Sequence, residues 1–323
     1  MLWYDSLWIP SAQIVTHRFF DCKRQLPENG IVAKTDRSDY TIENRIISAY
    51  RADYVICGHL TVPAARAICT RQPKKGAQPE RKRDFMSTMN LTLLTDLYEI
   101  TMMQGYFKTN NHDVVVFDAF YRSNPCNGGY AVCAGLEQVI DYIKQLRFSG
   151  EDIEYLRSLS MFEEDFLDYL KEFRFSGDIY AVPEGTVVFP REPLLKVIAP
   201  IMEAQLIETA VLNIINHQSL IATKAARVCY AAKGDGVMEF GLRRAQGPDS
   251  GVYGARAAII GGCKGTSNVL AGALFDVPVL GTHAHSWIMS FPDEYTAFLT
   301  YASLYPSACT LLVDTYDTLL SGV

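Results

Sequence analysis

The spacing of apolar side chains changes several times along this chain of 323 residues, and each change marks an element. Residues 91–107 carry apolar positions at helical spacing, and 114–121, VVVFDAFY, is a run of branched and aromatic residues that predicts a strand. Segments 135–146 and 151–173 repeat apolar residues every three or four positions and predict amphipathic helices. Ile179, Tyr180, Val182, Val187, Val188 and Phe189 predict strands within 177–190, around a turn at Pro183-Glu184-Gly185. A long helix is predicted from Pro200 to about Lys233, since proline suits a first turn and Gly234 a helix end.

After residue 236 short segments of the two kinds alternate. Strands are predicted at 237–240, 278–282 and 309–314, and helices at 254–261, 267–274 and 293–304. Alternation of this kind means parallel βα units. The expected fold class is α/β: an N-terminal α+β domain over 89–199, then the first part of an irregular α/β barrel over 200–323. A parallel barrel closes with about eight strands, and only about three or four are expected here, so the barrel is expected to be incomplete.

Residues 1–88 show no sustained period of 2 or 3.6 and are expected to be a poorly ordered leader, or an upstream stretch joined to the protein proper near Met86 or Met89. They close on a basic stretch at 71–83 that reads as a solvated linker, with a nucleic-acid arm as the functional alternative. Charge separates the two parts. Residues 1–85 hold 14 Lys and Arg against 9 Asp and Glu, while 86–323 hold 16 against 27. The acidic balance of the larger part discourages a nucleic-acid partner. Apolar residues at 49% and charged residues at 20% describe a globular protein. No apolar run reaches 18 residues, so no membrane span is expected. The start lacks the basic and apolar regions of a secretory signal. The eight cysteines, at 22, 57, 69, 126, 133, 229, 263 and 309, form no CxxC pair and fit neither a zinc site nor a disulfide framework. The cytoplasm is the expected compartment.

Candidate chemistry gathers where the predicted parallel strands end. The first cluster, 239–249, sets Arg243 and Arg244 beside Gly241 and Gly247. Guanidinium forks and exposed backbone N–H groups suit an anion, and a surface arginine pair is the plain alternative. The second, Gly281-Thr282-His283-Ala284-His285-Ser286, places two histidines on one side of an extended backbone. They could supply half a metal site, a catalytic or phosphate-accepting histidine, or a hydrogen-bonded structural one. In the third, Asp314 and Asp317 could serve Mg²⁺ or ribose hydroxyls, or cap a helix. Between them lies Gly261-Gly262-Cys263-Lys264-Gly265-Thr266-Ser267-Asn268, glycine-rich but neither a P-loop nor a dinucleotide fingerprint.

Six stretches together resemble the nicotinate phosphoribosyltransferase family, in family order: LLTDLYEITMMQGYF (93–107), FYRSNPCNGGYAVCAGLE (120–137), ETAVLNIINHQSLIATKAAR (208–227), EFGLRRAQGPDSG (239–251), GGCKGTSNVLAGALFDVPVLGTHAHSWIMSF (261–291) and LLVDTYDTLLSGV (311–323). Residues 1–85 have no counterpart in that pattern, and the family's enzymes continue beyond its last motif. The resemblance implies a type II phosphoribosyltransferase fold. It implies transfer of phosphoribose from phosphoribosyl pyrophosphate (PRPP) to nicotinate, with Mg²⁺ carried on PRPP and ATP rather than in a protein-only site. ATP hydrolysis would act through a phosphohistidine at His285. The resemblance implies a homodimer in which Tyr98 enters the partner's site and stacks on the pyridine ring opposite Phe240. Arg243 would then bind near the carboxylate or phosphate, Asp314 near the ribosyl part, and Arg122 a phosphate. Lys224 lies in a family motif without an assigned role. Related nicotinamide enzymes carry an acid where Ser267 stands, and a neutral hydroxyl there implies nicotinate over nicotinamide. The chain by itself is expected to have little activity. The alternative is a non-catalytic relic or interaction partner.

Overall fold

The computed structural model describes the backbone of residues 12–18 and 31–33 and the chain from 90 to 323. Helix α1 (Leu97–Lys108) carries Lys108 in its last turn, where the helix dipole favours a cation. Strand β3 (Val114–Tyr121) falls where its branched residues place it. It is the second strand of a five-stranded antiparallel sheet ordered β1-β3-β7-β5-β2, with β1 at Ala12–Arg18, β2 at Ile31–Ala33, β5 at Asp178–Ala181 and β7 at Leu195–Pro200. Strands β1 and β2 lie in the leader, where the sequence pattern marks no element. They join the sheet through backbone pairing, which needs no apolar period. The rest of the leader, the basic stretch included, lies outside the described residues.

Strand β7 is a departure from the sequence reading, which assigns nothing to 191–199. Leu195, Val197 and Ala199 are buried, with Lys196 and Ile198 less so, which is a strand's period. Its register sets Lys196 opposite Asp118 of β3, and the two form an ion pair of 2.9 Å with both side chains largely buried. A short central strand of this kind takes its stability from both neighbours, so its own residues signal it weakly.

A short two-stranded pair, β4 (Ala131–Val132) with β6 (Val187–Val188), stands beside the main sheet. Helices α2 (Leu136–Gln145), α3 (Gly150–Ser158) and α4 (Glu164–Lys171) pack around Phe117, Tyr121, Val139, Phe166, Leu167 and Leu170. The single helix expected over 151–173 is two. A capping box between Ser149 and Asp152 opens α3, and Ser160, at φ 55°, turns the chain out of helical geometry before α4.

The helix expected over 200–233 likewise divides, into α5 (Ile201–Leu206) and α6 (Glu208–Ala231). At the junction the Thr209 N–H donates 3.1 Å to the Glu99 carboxylate, and the Thr209 hydroxyl donates 2.9 Å to the same oxygen. That carboxylate comes from a helix 110 positions earlier, so local spacing carries no sign of the break. Helix α6 buries Gln218, Ser219 and Thr223. The Val132 N–H donates to the Thr223 hydroxyl at 2.8 Å, and the Ala134 N–H to the Ser219 hydroxyl at 2.9 Å. Helix side chains thus satisfy backbone groups that a neighbouring strand would otherwise pair.

Beyond α6 the chain runs β8 (Met238–Glu239), α7 (Pro248–Ile260), β9 (Gly265–Thr266) and α8 (Val269–Phe275). Strands β8 and β9 pair in parallel, and a single parallel bridge joins Thr266 to Val279. The strand expected at 278–282 is therefore one bridge. The one expected at 309–314 is irregular backbone, held where the Leu312 N–H donates to a histidine ring. Short helix α9 (His285–Met289), absent from the sequence reading, and α10 (Glu294–Leu304) complete the described course, with a final turn at Thr318–Gly322. Among the described residues no helix is long and apolar enough to cross a membrane.

Helix α7 lies tight on α6. A Cβ at Gly261 would stand 2.4 Å from the Ala222 carbonyl oxygen, so only glycine lets the two backbones approach this closely. On α7, Arg256 is buried and reaches back to the first half of the chain. Its guanidinium meets Glu184 Oε2 at 2.6 Å and Glu137 Oε2 at 2.5 Å, and donates to Gln218 Oε1 at 3.1 Å. Glu184 also accepts the Gly135 N–H at 2.6 Å. Removing the guanidinium would leave Glu184 charged and buried without its counter-ion. Arg256→Leu is therefore expected to cost about 3–5 kcal/mol in urea unfolding. A loss below about 1 kcal/mol would mean that the ion network does not join the two halves.

Candidate active site

The ends of β8, β9 and the bridged residue Val279 lie side by side in parallel, and the loops that leave them carry most of the candidate residues. Phe240 follows β8 directly and is exposed. Arg243 lies three residues further, in the short turn Leu242–Arg244, and is exposed. Neither Arg243 nor Arg244 forms an ion pair among the described residues, which leaves both guanidinium groups available to an anion. Ser267 follows β9, half-buried, and its N–H donates to the Glu239 carbonyl at 3.0 Å. Beneath it, the buried Thr266 hydroxyl donates 2.6 Å to Glu239 Oε2 and accepts the Asn268 N–H at 2.9 Å. Asn268 caps α8 through the Ala271 N–H and donates 3.2 Å to the Gly251 carbonyl.

The two histidines part company. His283 is buried, with its ring edge-on to Tyr301 at 4.9 Å and beside Phe298 at 5.9 Å. Its Nε2 accepts the Leu312 N–H at 3.1 Å, so the ring proton sits on Nδ1, which lies 3.3 Å from the Ala284 carbonyl. Both nitrogens are engaged and the residue is structural. His285 is exposed at the start of α9, with Nδ1 3.2 Å from the Thr315 hydroxyl. That contact brings His285 to the chain position next to Asp314, which is itself exposed. Among the described residues no group of three or more His, Cys, Asp or Glu side chains is placed to hold a metal ion.

Tyr98 and Arg122 lie elsewhere. Arg122 is exposed just past the end of β3, on the antiparallel sheet. Tyr98 is exposed at the start of α1, where its hydroxyl is 3.4 Å from Glu99 Oε1. Partial burial, with Glu208 and Glu99 close by, pushes the Tyr98 phenol up to about 12. Within the described chain it makes no ring contact with Phe240.

The chain matches the profile of the nicotinate phosphoribosyltransferase N-terminal domain over residues 93–216 and that of the nicotinate phosphoribosyltransferase family over 236–319. It belongs to the nicotinate phosphoribosyltransferase family. Over 235 residues it is 51% identical to a nicotinate phosphoribosyltransferase of Bacillus subtilis, a match that covers 72% of this chain and 48% of the relative. A nicotinate phosphoribosyltransferase of Mycobacterium tuberculosis is 49% identical over 227 residues, covering 70% and 49%. The chain thus spans about half the length of the curated relatives it matches. Among solved structures, human nicotinic acid phosphoribosyltransferase shares 33% identity at a TM-score of 0.66, over 71% of this chain and 56% of that one. A nicotinate-nucleotide pyrophosphorylase of Pyrococcus furiosus shares 26% at 0.58, over 76% and 54%. The mixed helix and sheet architecture is that of the type II phosphoribosyltransferases.

Two groups in this family member escape sequence reasoning. Glu239 is the first residue of a quoted motif, yet nothing in its spacing shows that its carboxylate turns back onto Thr266. Glu99 follows Tyr98 and reads as an ordinary first-turn acid, yet it is fully buried. Burial pushes the Glu99 carboxyl up to about 7, and nearby Glu208 and Asp96 push the same way against the bonds from Thr209. Its Oε2 is buried without a hydrogen-bond partner among the described residues, which suits a protonated acid. The fold favours the neutral form, so this group's contribution to stability is full below the ordinary carboxyl range and is lost as pH rises through about 7. The thermal midpoint is expected to fall between about pH 5 and pH 7.5, and Glu99→Gln is expected to remove that part of the fall. Parallel melting curves for the two proteins across this range decide it, and equal slopes would rule the assignment out.

Proposed function

We propose that this chain supplies the nicotinate slot and the phosphate-accepting histidine of a nicotinate phosphoribosyltransferase of NAD salvage. The full reaction takes nicotinate, PRPP, ATP and water to nicotinate mononucleotide, pyrophosphate, ADP and phosphate. The observation that carries the reading is the contrast between the two histidines. His283 has both ring nitrogens engaged, while His285 is exposed and holds Nδ1 toward Thr315. A hydroxyl at Nδ1 orients the ring and leaves Nε2 as the nucleophile. Its lone pair would attack the γ-phosphorus of ATP as the bond to ADP breaks. The phosphorylated ring would then stand beside Asp314, on the side where PRPP would bind.

In the glycosyl step the pyridine nitrogen forms a bond to the ribose C1 as the bond to pyrophosphate breaks. Anions near the sugar stabilise its cation-like transition state, and Asp314 is assigned that place. Phe240 would carry one face of the pyridine ring, and Tyr98 of a second copy the other, which makes the working form a homodimer. Arg243 would pair with the nicotinate carboxylate or a phosphate, Ser267 would donate to the carboxylate, and Arg122 would hold a phosphate. Mg²⁺ would arrive on the polyphosphates of PRPP and ATP. The cytoplasm is the compartment this chemistry fits.

Incubation of the purified chain with ATP, followed by peptide mass spectrometry under non-acidic conditions, is expected to show one phosphate on His285. None is expected on His283 or in a His285→Asn variant. Phosphate on neither histidine, or on His283 alone, would overturn the assignment. Ser267→Asp is expected to weaken nicotinate binding at least tenfold, about 1.4 kcal/mol, while leaving nicotinamide binding unchanged or improved. Calorimetric titration with the two ligands reads this directly, and an unchanged preference removes Ser267 from the specificity argument.

A further inference from the structure

The aromatic and cationic side of the slot, Phe240 to Arg243, leaves one strand. The hydroxyl side, Ser267, leaves another. The first loop is exposed over 240–244, and the second is only half-buried Ser267 and buried Asn268 before α8, so their mutual spacing has to be fixed at the base. One side chain is placed to do that. Glu239 ends β8, is half-buried, and stands opposite Thr266 in the parallel pair. Its carboxylate accepts at both oxygens: the Gly241 N–H at Oε1 and, at 2.6 Å, the Thr266 hydroxyl at Oε2. Its carbonyl accepts the Ser267 N–H. One residue therefore bonds to the backbone inside the first loop and to the residues on either side of the second loop's start.

We propose that Glu239 is the positioning residue of the slot, holding the Phe240–Arg243 turn at a set distance from Ser267. This rests on the nicotinate reading of the site. Three further observations agree. A Cβ at Gly241 would lie 2.7 Å from Glu239 Oε1, so glycine at 241 is what leaves the carboxylate room to turn in. Thr266 is fully buried, and its hydroxyl passes the order on by accepting the Asn268 N–H, at the start of α8. Both carboxylate oxygens being engaged, Glu239 is not spent on Arg243, whose guanidinium makes no ion pair among the described residues and stays free for an anionic ligand. A carboxylate is required because two donors converge on it. An amide offers one acceptor oxygen and must turn its NH₂ toward one of them.

The test uses the full 323-residue chain in four forms beside wild type: Glu239→Gln, Glu239→Ala, Thr266→Val and Thr266→Ser. Amide hydrogen exchange is followed by mass spectrometry in peptides covering 238–247 and 264–270, and nicotinate binding by calorimetry. Glu239→Gln, Glu239→Ala and Thr266→Val are expected to speed exchange about tenfold in both peptides, with the thermal midpoint little changed, and to weaken nicotinate binding about tenfold. Thr266→Ser, which keeps the hydroxyl, is expected to behave as wild type in both measurements. The proposal is overturned if exchange rises in one peptide only or in neither, or if Glu239→Gln binds nicotinate as tightly as wild type. It is also overturned if Thr266→Ser fails as Thr266→Val does. Should the Glu239 variants not fold, the threonine pair carries the decision. If wild type binds no nicotinate, the nicotinate reading fails, and the exchange data alone decide whether Glu239 couples the loops.

Discussion

The fold turns on a buried positive charge. Arg256 lies on the first helix of the parallel half and ends among Glu137, Glu184 and Gln218, which all belong to what comes before it. A guanidinium removed from water is tolerable only when its donors are met and its charge is balanced, and this one has two carboxylates within ion-pair distance. The consequence is geometric. Helix α7 cannot slide along α6 without breaking the network, and Gly261 at its far end sets the depth of the contact. The loop that precedes α7 carries Arg243, and the loop that follows it leads into β9. The site therefore inherits its frame from a contact outside it.

Helix α6 is the other half of that frame. It presents a polar stripe to the antiparallel side, where Ser219 and Thr223 complete the backbone bonding of 132–134. It presents small residues to the parallel side, where α7 packs close. A helix with two such faces reads as only weakly amphipathic, because its inner surface includes hydroxyls and an amide. The hydroxyls are buried at little cost because each is hydrogen-bonded. The start of α6 is equally dependent on its surroundings, since Glu99 meets the Thr209 N–H from another helix and places Tyr98 beside Glu208.

At the site itself, similar residues are sorted by environment. His283 and His285 are two positions apart and indistinguishable by composition. One is sealed among aromatic rings and spends its acceptor on Leu312, and the other faces outward with a hydroxyl at one nitrogen. Glu239, at the end of β8, and Asp314, on irregular backbone, are both acids. One is consumed by two hydrogen bonds that order the loops, and the other stays exposed. The same sorting separates Arg256, buried among acids, from Arg243, exposed and without an ion pair among the described residues.

The elements most legible in the sequence were those whose own residues carry the signal. Strand β3 has six branched or aromatic residues among its eight, α2 its apolar stripe, and the family motifs keep their order. Residue type and local spacing nominate the clusters around Arg243, the two histidines and Asp314 as candidates, while Ser267 and the choice of His285 come only from the family resemblance. What the local pattern could not carry were features made by partners far away in the chain. Strand β7 is stabilised by β3 and β5, the break at Ile207 by Glu99, the division of labour between the histidines by Leu312 and Thr315, and the seam by Arg256 finding Glu184. Periodicity reports how a segment meets a surface. Which surface it meets, and which donor finds which acceptor there, is settled only when the chain folds back on itself.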